Sequence, residues 1–242
     1  MIRSERIDLE PAFILHSRRY RETSLLIEAF GRDSGRLGVV AKGALRPKSR
    51  MRGLLQPFIP LLLSWRGRGD LATLTGAEAQ GEIVPTPGAT ALIGFYVNEL
   101  LLHFLHRHDP EPNLFEVYHR TLLRIACEED PEPSLRIFEK RLLQATGYAL
   151  QLEREAVSGA RIMPEGRYIY RPDSGPEPWD PHRHGGVVIS GATLLALSSE
   201  ELLERDTLRE AKQLMRRVIA ARSGEKTLIS RNLWPRRRPD TA

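Results

Sequence analysis

The chain has 242 residues, 41% of them apolar and 28% charged, with a formal net charge of +5. Such a length and composition suit one large folded domain or two to three small ones and exclude wholesale disorder. A single cysteine, Cys127, excludes an intrachain disulfide and a cysteine-based zinc site, while the excess of cations favours an acidic partner such as nucleic acid.

The first part of the chain reads as β. Strand-like stretches run over Ala12–Ser17, Thr23–Phe30, Arg36–Lys42, Phe58–Trp65 and Leu71–Ala79, and Gly31–Gly35 and Arg66–Asp70 are turn clusters between them. Five short strands suit a small closed barrel of the OB type, and the pattern alone also fits another small barrel. Val84–Gly88 then resembles a linker, since its prolines and glycine disfavour helix.

Helices follow. Ala89–Leu105 is apolar nearly all round, as expected of a buried central helix. After Asp109–Pro112 a second helix starts near Asn113, and Leu114, Val117, Tyr118, Thr121, Leu122, Ile125 and Ala126 keep the i, i+3, i+4 rhythm of one buried face. A third starts near Ser134, buries Leu135, Phe138, Leu142 and Leu143, and stops at Gly147. Residues 151–189, rich in proline, glycine, arginine and aspartate, read as an irregular insertion with a hairpin around Tyr168–Tyr170. A final helical section runs from Gly191 towards Trp234, with Leu194, Leu197, Leu203, Leu214 and Val218 among its core positions, and Pro235–Arg238 forms a basic tail. The expected class is therefore α+β: an OB-fold barrel over 1–82, then a helical domain over 83–242 that carries the insertion.

Two stretches concentrate positive charge and contain no acid. The first holds Arg18, Arg19 and Arg21; the second holds Lys42, Arg46, Lys48, Arg50 and Arg52. In an OB barrel the connections between strands flank the ligand face. Cations there can follow a phosphate backbone, and Tyr20 or Trp65 could stack on a base. Nothing suggests base-edge readout, so binding is expected to be independent of sequence and sensitive to salt.

These stretches and their flanks resemble the RecO family of bacterial recombination mediators. The matching residues are Ala12–Arg18, Glu22–Leu25, Val39–Ala44, Leu55–Phe58, Pro60–Leu63, Tyr96–Leu101, Leu135–Glu139, Gly147–Tyr148, Thr207–Arg209 and Leu228–Arg231, in order along nearly the whole chain. The resemblance implies a non-catalytic protein that binds single- and double-stranded DNA and anneals complementary strands. It further implies displacing single-stranded-DNA-binding protein (SSB) and acting with RecR to load RecA. Arg136 matches the family arginine that resembles part of the pocket for the acidic, Phe-ended tail of SSB, where a guanidinium pairs well with a terminal carboxylate. Many members carry a cysteine-rich zinc module in the insertion; residues 151–189 hold no cysteine, so no metal or other cofactor is expected. The N-terminus lacks the apolar core of a secretory signal and no run of about 18 apolar residues marks a membrane span, so a cytoplasmic, nucleoid-associated protein without membrane contact is expected.

Other residues invite different readings. A plain OB-type nucleic-acid binder without mediator role is the second reading of the basic stretches. A metal-dependent hydrolase or nuclease would have to use His103, His106 and His108, the first two spaced to share a helix face, or His182 and His184. No acid–histidine metal signature accompanies them, and neither glycine-rich turn has phosphate-cradling spacing. Cys127 is expected to be packed among apolar neighbours on its helix, and Ser190–Gly191 lacks the glycines of a nucleophile elbow.

Overall fold

A computed structural model describes residues 6–67, 69–81, 88–128, 130–182, 184–202, 204–224 and 228. Val84–Pro87 of the expected linker, Leu203, the basic tail Pro235–Arg238 and, apart from Leu228, the last helical section past Gly224 lie outside these residues. The chain divides into two compact units, Met1–Cys127 with Leu228–Ala242, and Glu128–Thr227.

In the first unit, strands β1 (Arg6–Tyr20), β2 (Ser24–Gly31), β3 (Gly35–Ala41), β4 (Leu61–Arg66) and β5 (Ala72–Ala79) close into a barrel. The order around it is β1-β2-β3-β5-β4, and β1 returns to pair with β4. Neighbours are antiparallel except β3 and β5, which run parallel at Val39–Ala72 and Val40–Thr73. This is the five-stranded OB arrangement that the sequence predicts. Alternation along the strands builds the interior: Ile27 and Ala29, then Leu37, Val39 and Ala41, then Leu61, Leu63 and Trp65 all face one core.

Two helices follow the barrel, α1 (Gly88–Phe104) and α2 (Pro112–Cys127), and Phe13 and Phe30, of the opposite parity, meet α2. Phe13 packs 5.4 Å from Phe115 and edge-on, 5.0 Å, against Tyr118. A bulge adds a polar link. The β1–β2 register skips Leu15 between Ile14 and His16, and a bulged carbonyl needs another donor. Asn98 Nδ2 on α1 supplies it at 2.9 Å, and Asn98 Oδ1 accepts from the Tyr118 hydroxyl at 2.6 Å. Burial pushes the Tyr118 phenol up, which keeps it a donor. At the far end of α1, Arg36 Nη1 donates to the carbonyls of Leu102 (2.5 Å) and Leu105 (3.2 Å). Arg36 thereby satisfies helix-terminal acceptors, while its Nε donates to Glu28, which also accepts from Arg107.

The second unit contains α3 (Glu132–Ala145), β6 (Arg167–Arg171), β7 (Gly175–Pro178), β8 (Val187–Ser190), α4 (Gly191–Ser199) and α5 (Arg205–Arg222). Leu135, Phe138 and Leu142 of α3, Leu194 and Leu197 of α4, and Leu214, Met215 and Val218 of α5 are buried. Gly147, at φ +83°, follows the end of α3 and donates its N–H to Gln144. The stretch expected to be irregular is more ordered than its composition suggests. The hairpin is β6–β7, and β8 pairs with the other side of β6 to give an antiparallel sheet of order β7-β6-β8. Pro176 and Pro178 sit in β7, an edge strand, where a missing N–H is tolerated. Ser190 caps α4 by accepting from Thr193 N at 3.2 Å. Its hydroxyl and that of Thr193 donate to Glu210 at 2.7 Å. Partial burial raises the Glu210 carboxyl, but these hydrogen bonds outweigh it and hold the group below its ordinary range.

Candidate nucleic-acid interface

The two basic stretches meet at one end of the barrel. Arg18 and Arg19 are not in a loop after the first strand, as the sequence suggests, but among the last residues of β1 itself. They pair with Leu26 and Leu25 of β2, because Ala12–Ser17 is only the middle of a fifteen-residue strand. Arg21 sits in the β1–β2 turn at φ +54°. Leu25 is in turn opposite Ala41 on β3, so Lys42 leaves the sheet beside that same turn. Leu45 N donates to Thr23 O at 2.9 Å, tying the second stretch to the first. Neighbouring strands lie about 5 Å apart, so β1 and β3 deliver their cations within about 10 Å of each other.

Arg18, Arg19, Arg21, Lys42, Arg46, Lys48, Arg50 and Arg52 are all exposed. Among the described residues none of these eight pairs with a carboxylate; Arg21 instead lies over the Tyr20 ring, 5.3 Å from its centroid. An exposed cation without an internal counter-ion keeps its full field for an external anion.

The loop joining β3 to β4 is held from within. Ala44, Leu55 and Ile59 are buried in the barrel core, and Met51 and Leu54 pack partly against it. Short backbone bonds shape the rest: Arg46 N to Gly43 O (3.1 Å), Ser49 N to Arg46 O (3.0 Å) and Leu54 N to Met51 O (3.1 Å). Trp65 corrects the sequence reading. It is 4% exposed and faces the barrel interior, so it offers no ring to a base. Its parity with Leu61 and Leu63 along β4 is the signal that could have shown this.

Arg136 occupies an unexpected setting. It is 3% exposed on α3, with Nη1 3.0 Å from Glu139, itself fully buried, and Nη2 3.8 Å from Glu132. Among the described residues its Nε has no hydrogen-bond partner. The helix begins at Glu132 rather than near Ser134, and Ser134 is buried with its hydroxyl donating to Glu128 at 2.7 Å. A basic surface that sequence reasoning missed lies on α5, where Arg205, Arg209, Arg216 and Arg217 are exposed. They fall opposite the apolar stripe of Ala211, Leu214, Met215 and Val218, which is the periodicity that marks them.

The residues that invited a catalytic reading are dispersed. Helix α1 ends at Phe104, so His106 and His108 lie beyond it and share no helix face with His103. Among the described residues no three of histidine, cysteine, aspartate or glutamate form a metal-binding group. Cys127 is exposed, against expectation. Two residues past the buried Ile125, it is turned about 200° around α2, away from the stripe that ends there. Ser190 serves as a helix cap. Among the described residues no helix is long and apolar enough to cross a membrane.

A family model described as Recombination protein O N terminal matches residues 8–81, and one described as Recombination protein O C terminal matches residues 88–231. The chain is 48% identical over 229 residues to a DNA repair protein RecO of Methylococcus capsulatus, covering 95% of this chain and 93% of that one. It is 46% identical to the protein of that name from Paraburkholderia xenovorans, covering 94% and 76%. The corresponding values for Nitrosospira multiformis are 44% identity with 95% of each chain covered.

Proposed function

The chain belongs to the RecO family of DNA repair proteins, and we propose that it acts there as a non-catalytic recombination mediator of the cytoplasm and nucleoid. It binds single- and double-stranded DNA through the barrel end, anneals complementary strands, and with RecR helps load RecA onto SSB-coated DNA. The observation that carries this reading is the set of eight exposed cations that β1, the β1–β2 turn and the β3–β4 loop bring to one end of the barrel. Annealing needs no active site. Neutralising the phosphates of two strands removes their repulsion, and base pairing supplies the free energy.

Arg136 is our candidate for the SSB-tail carboxylate. Its Nε is a buried donor left unsatisfied among the described residues, and charge-assisted bonds to a carboxylate are among the stronger hydrogen bonds. Because Glu139 lies beside it in the core, Arg136→Ala strips a buried carboxylate of this guanidinium and costs about 3–5 kcal/mol of stability. Arg136→Lys is therefore the better probe. It keeps a cation beside Glu139 but loses the fork that pairs with carboxylates.

The test is annealing of two complementary oligonucleotides, bare and coated with SSB, followed by binding of an SSB-tail peptide. The expected result is annealing of both, with peptide affinity reduced by Arg136→Lys and bare-strand annealing retained. Annealing of bare strands alone would reduce the protein to a general nucleic-acid binder. Failure to bind either strand would remove the DNA reading altogether.

A further inference from the structure

Three of the barrel's aromatic side chains, Phe13, Phe30 and Trp65, are buried, and Tyr20 at the end of β1 is half-buried with Arg21 lying over its ring. Among the described residues of the first unit, Phe95 on α1 is the one aromatic side chain that stands largely exposed, at 45%. It is paired with Phe58, ring centroids 5.0 Å apart and edge to face. We infer that Phe95, backed by Phe58, is a stacking platform for an unpaired base of the DNA strand whose phosphates run along the basic loop. This rests on the DNA-binding role proposed above and adds what that role leaves open, a contact that distinguishes single strands from duplex.

Three features show that the pair is built rather than incidental. Phe58 closes the basic loop just before β4 and holds φ at +71°, a left-handed conformation that a bulky side chain adopts only at a cost. Strain of this kind collects at functional positions. Gly94 makes room for the ring: a Cβ there would come within 2.7 Å of Phe58. Position 95 is the next residue on α1, so the helix that clears space for one ring presents the other.

The surroundings select the occupant. From Lys42 to Pro60 the loop carries five cations and no acid. Arg52 and Phe58 are six residues apart, at most about 20 Å even if fully extended, and the turns between them shorten that reach. The ring is therefore within the span of a strand held by the same loop, since one OB fold engages about 4–16 nucleotides. A ring on an open surface also suits a flat base better than an enclosed peptide side chain. Every base has a π-face, so stacking adds affinity without sequence preference, whereas bases in a duplex are already stacked on each other.

The test compares wild type with Phe95→Ala and Phe95→Trp on three fluorescent ligands. These are an oligothymidylate, an abasic oligonucleotide of equal length and charge, and a duplex. Phe95 is exposed, so its loss leaves the core intact, and thermal melting serves as the control. Phe95→Ala is expected to weaken oligothymidylate binding about 5- to 150-fold, the range that stacking one base supports. It should leave abasic and duplex affinities unchanged, while Phe95→Trp restores binding. Equal loss on the abasic strand, or no loss on oligothymidylate, overturns the platform. So does Phe95→Ala abolishing capture of a short acidic peptide while sparing DNA, which would make the pair a protein contact. If wild type binds no oligonucleotide, it is the underlying DNA reading that has failed, and the platform with it.

Discussion

Replacing Arg46, Lys48 and Arg50 by glutamine removes three of the eight exposed cations at the barrel end without touching Ala44, Leu55 or Ile59, which hold the loop in the core. Each phosphate contact on single-stranded DNA contributes about 0.7 to the slope of log affinity against log salt. Eight contacts therefore set a ceiling of about 6 for the wild type, and the triple variant should be shallower by about 2. Between 50 and 200 mM salt, the fall in affinity should then be about 15- to 20-fold smaller than in the wild type. Because exposed substitutions usually change stability by less than about 0.5 kcal/mol, the melting temperature should hold. The assay is fluorescence anisotropy of a labelled oligonucleotide titrated at several salt concentrations. Equal slopes for the two proteins would refute the assignment of this loop to the phosphate path, whatever happened to the affinity at any one salt.

Two further perturbations probe the scaffold. Tyr118→Phe removes the donor to Asn98 Oδ1 in the buried link to the β1 bulge, and leaving such an acceptor unsatisfied costs about 1–3 kcal/mol; a urea midpoint equal to wild type would show that the link carries no stability. Burial pushes the Tyr170 phenol up to about 12, against about 10 in an unfolded chain. The stability it contributes is thus complete below about pH 10 and lost as pH rises towards 12, amounting to about 2–3 kcal/mol. Urea melts over that window should show a smaller decline for Tyr170→Phe, and identical declines would contradict the assignment.

Much of the architecture is readable from the chain because it depends on local pattern. Alternation marks the strands, helical rhythm marks Leu114 to Ile125, and the acid-free stretches at 18–21 and 42–52 announce the charged end. What escapes such reading depends on residues distant in sequence. The bulge at Leu15 is completed by Asn98, eighty-three positions away. No periodicity of β1 forecasts that partner. Composition changes near residue 84, yet α2 packs on the barrel through Phe13, Phe30, Phe115 and Tyr118, and α1 is tied to it through Asn98. Arg136 and Glu139 look like ordinary exposed helix charges one turn apart, but both are buried. Trp65 and Cys127 are different, since parity and helical angle were sufficient to place both.

The internal anchoring of the basic loop has a thermodynamic consequence. A surface loop of this length is ordinarily free to wander, and ordering it on a ligand would cost roughly 1–2 kcal/mol per residue fixed. Here Ala44, Leu55 and Ile59 are core residues of the barrel, so that ordering is already complete when the barrel folds. The cations are presented in a preorganised array. Their attraction for DNA should therefore appear as affinity with little heat-capacity change from coupled folding. The same anchoring means that excising the loop would empty part of the barrel core, so substitutions at its exposed side chains separate charge from fold where deletions merge them.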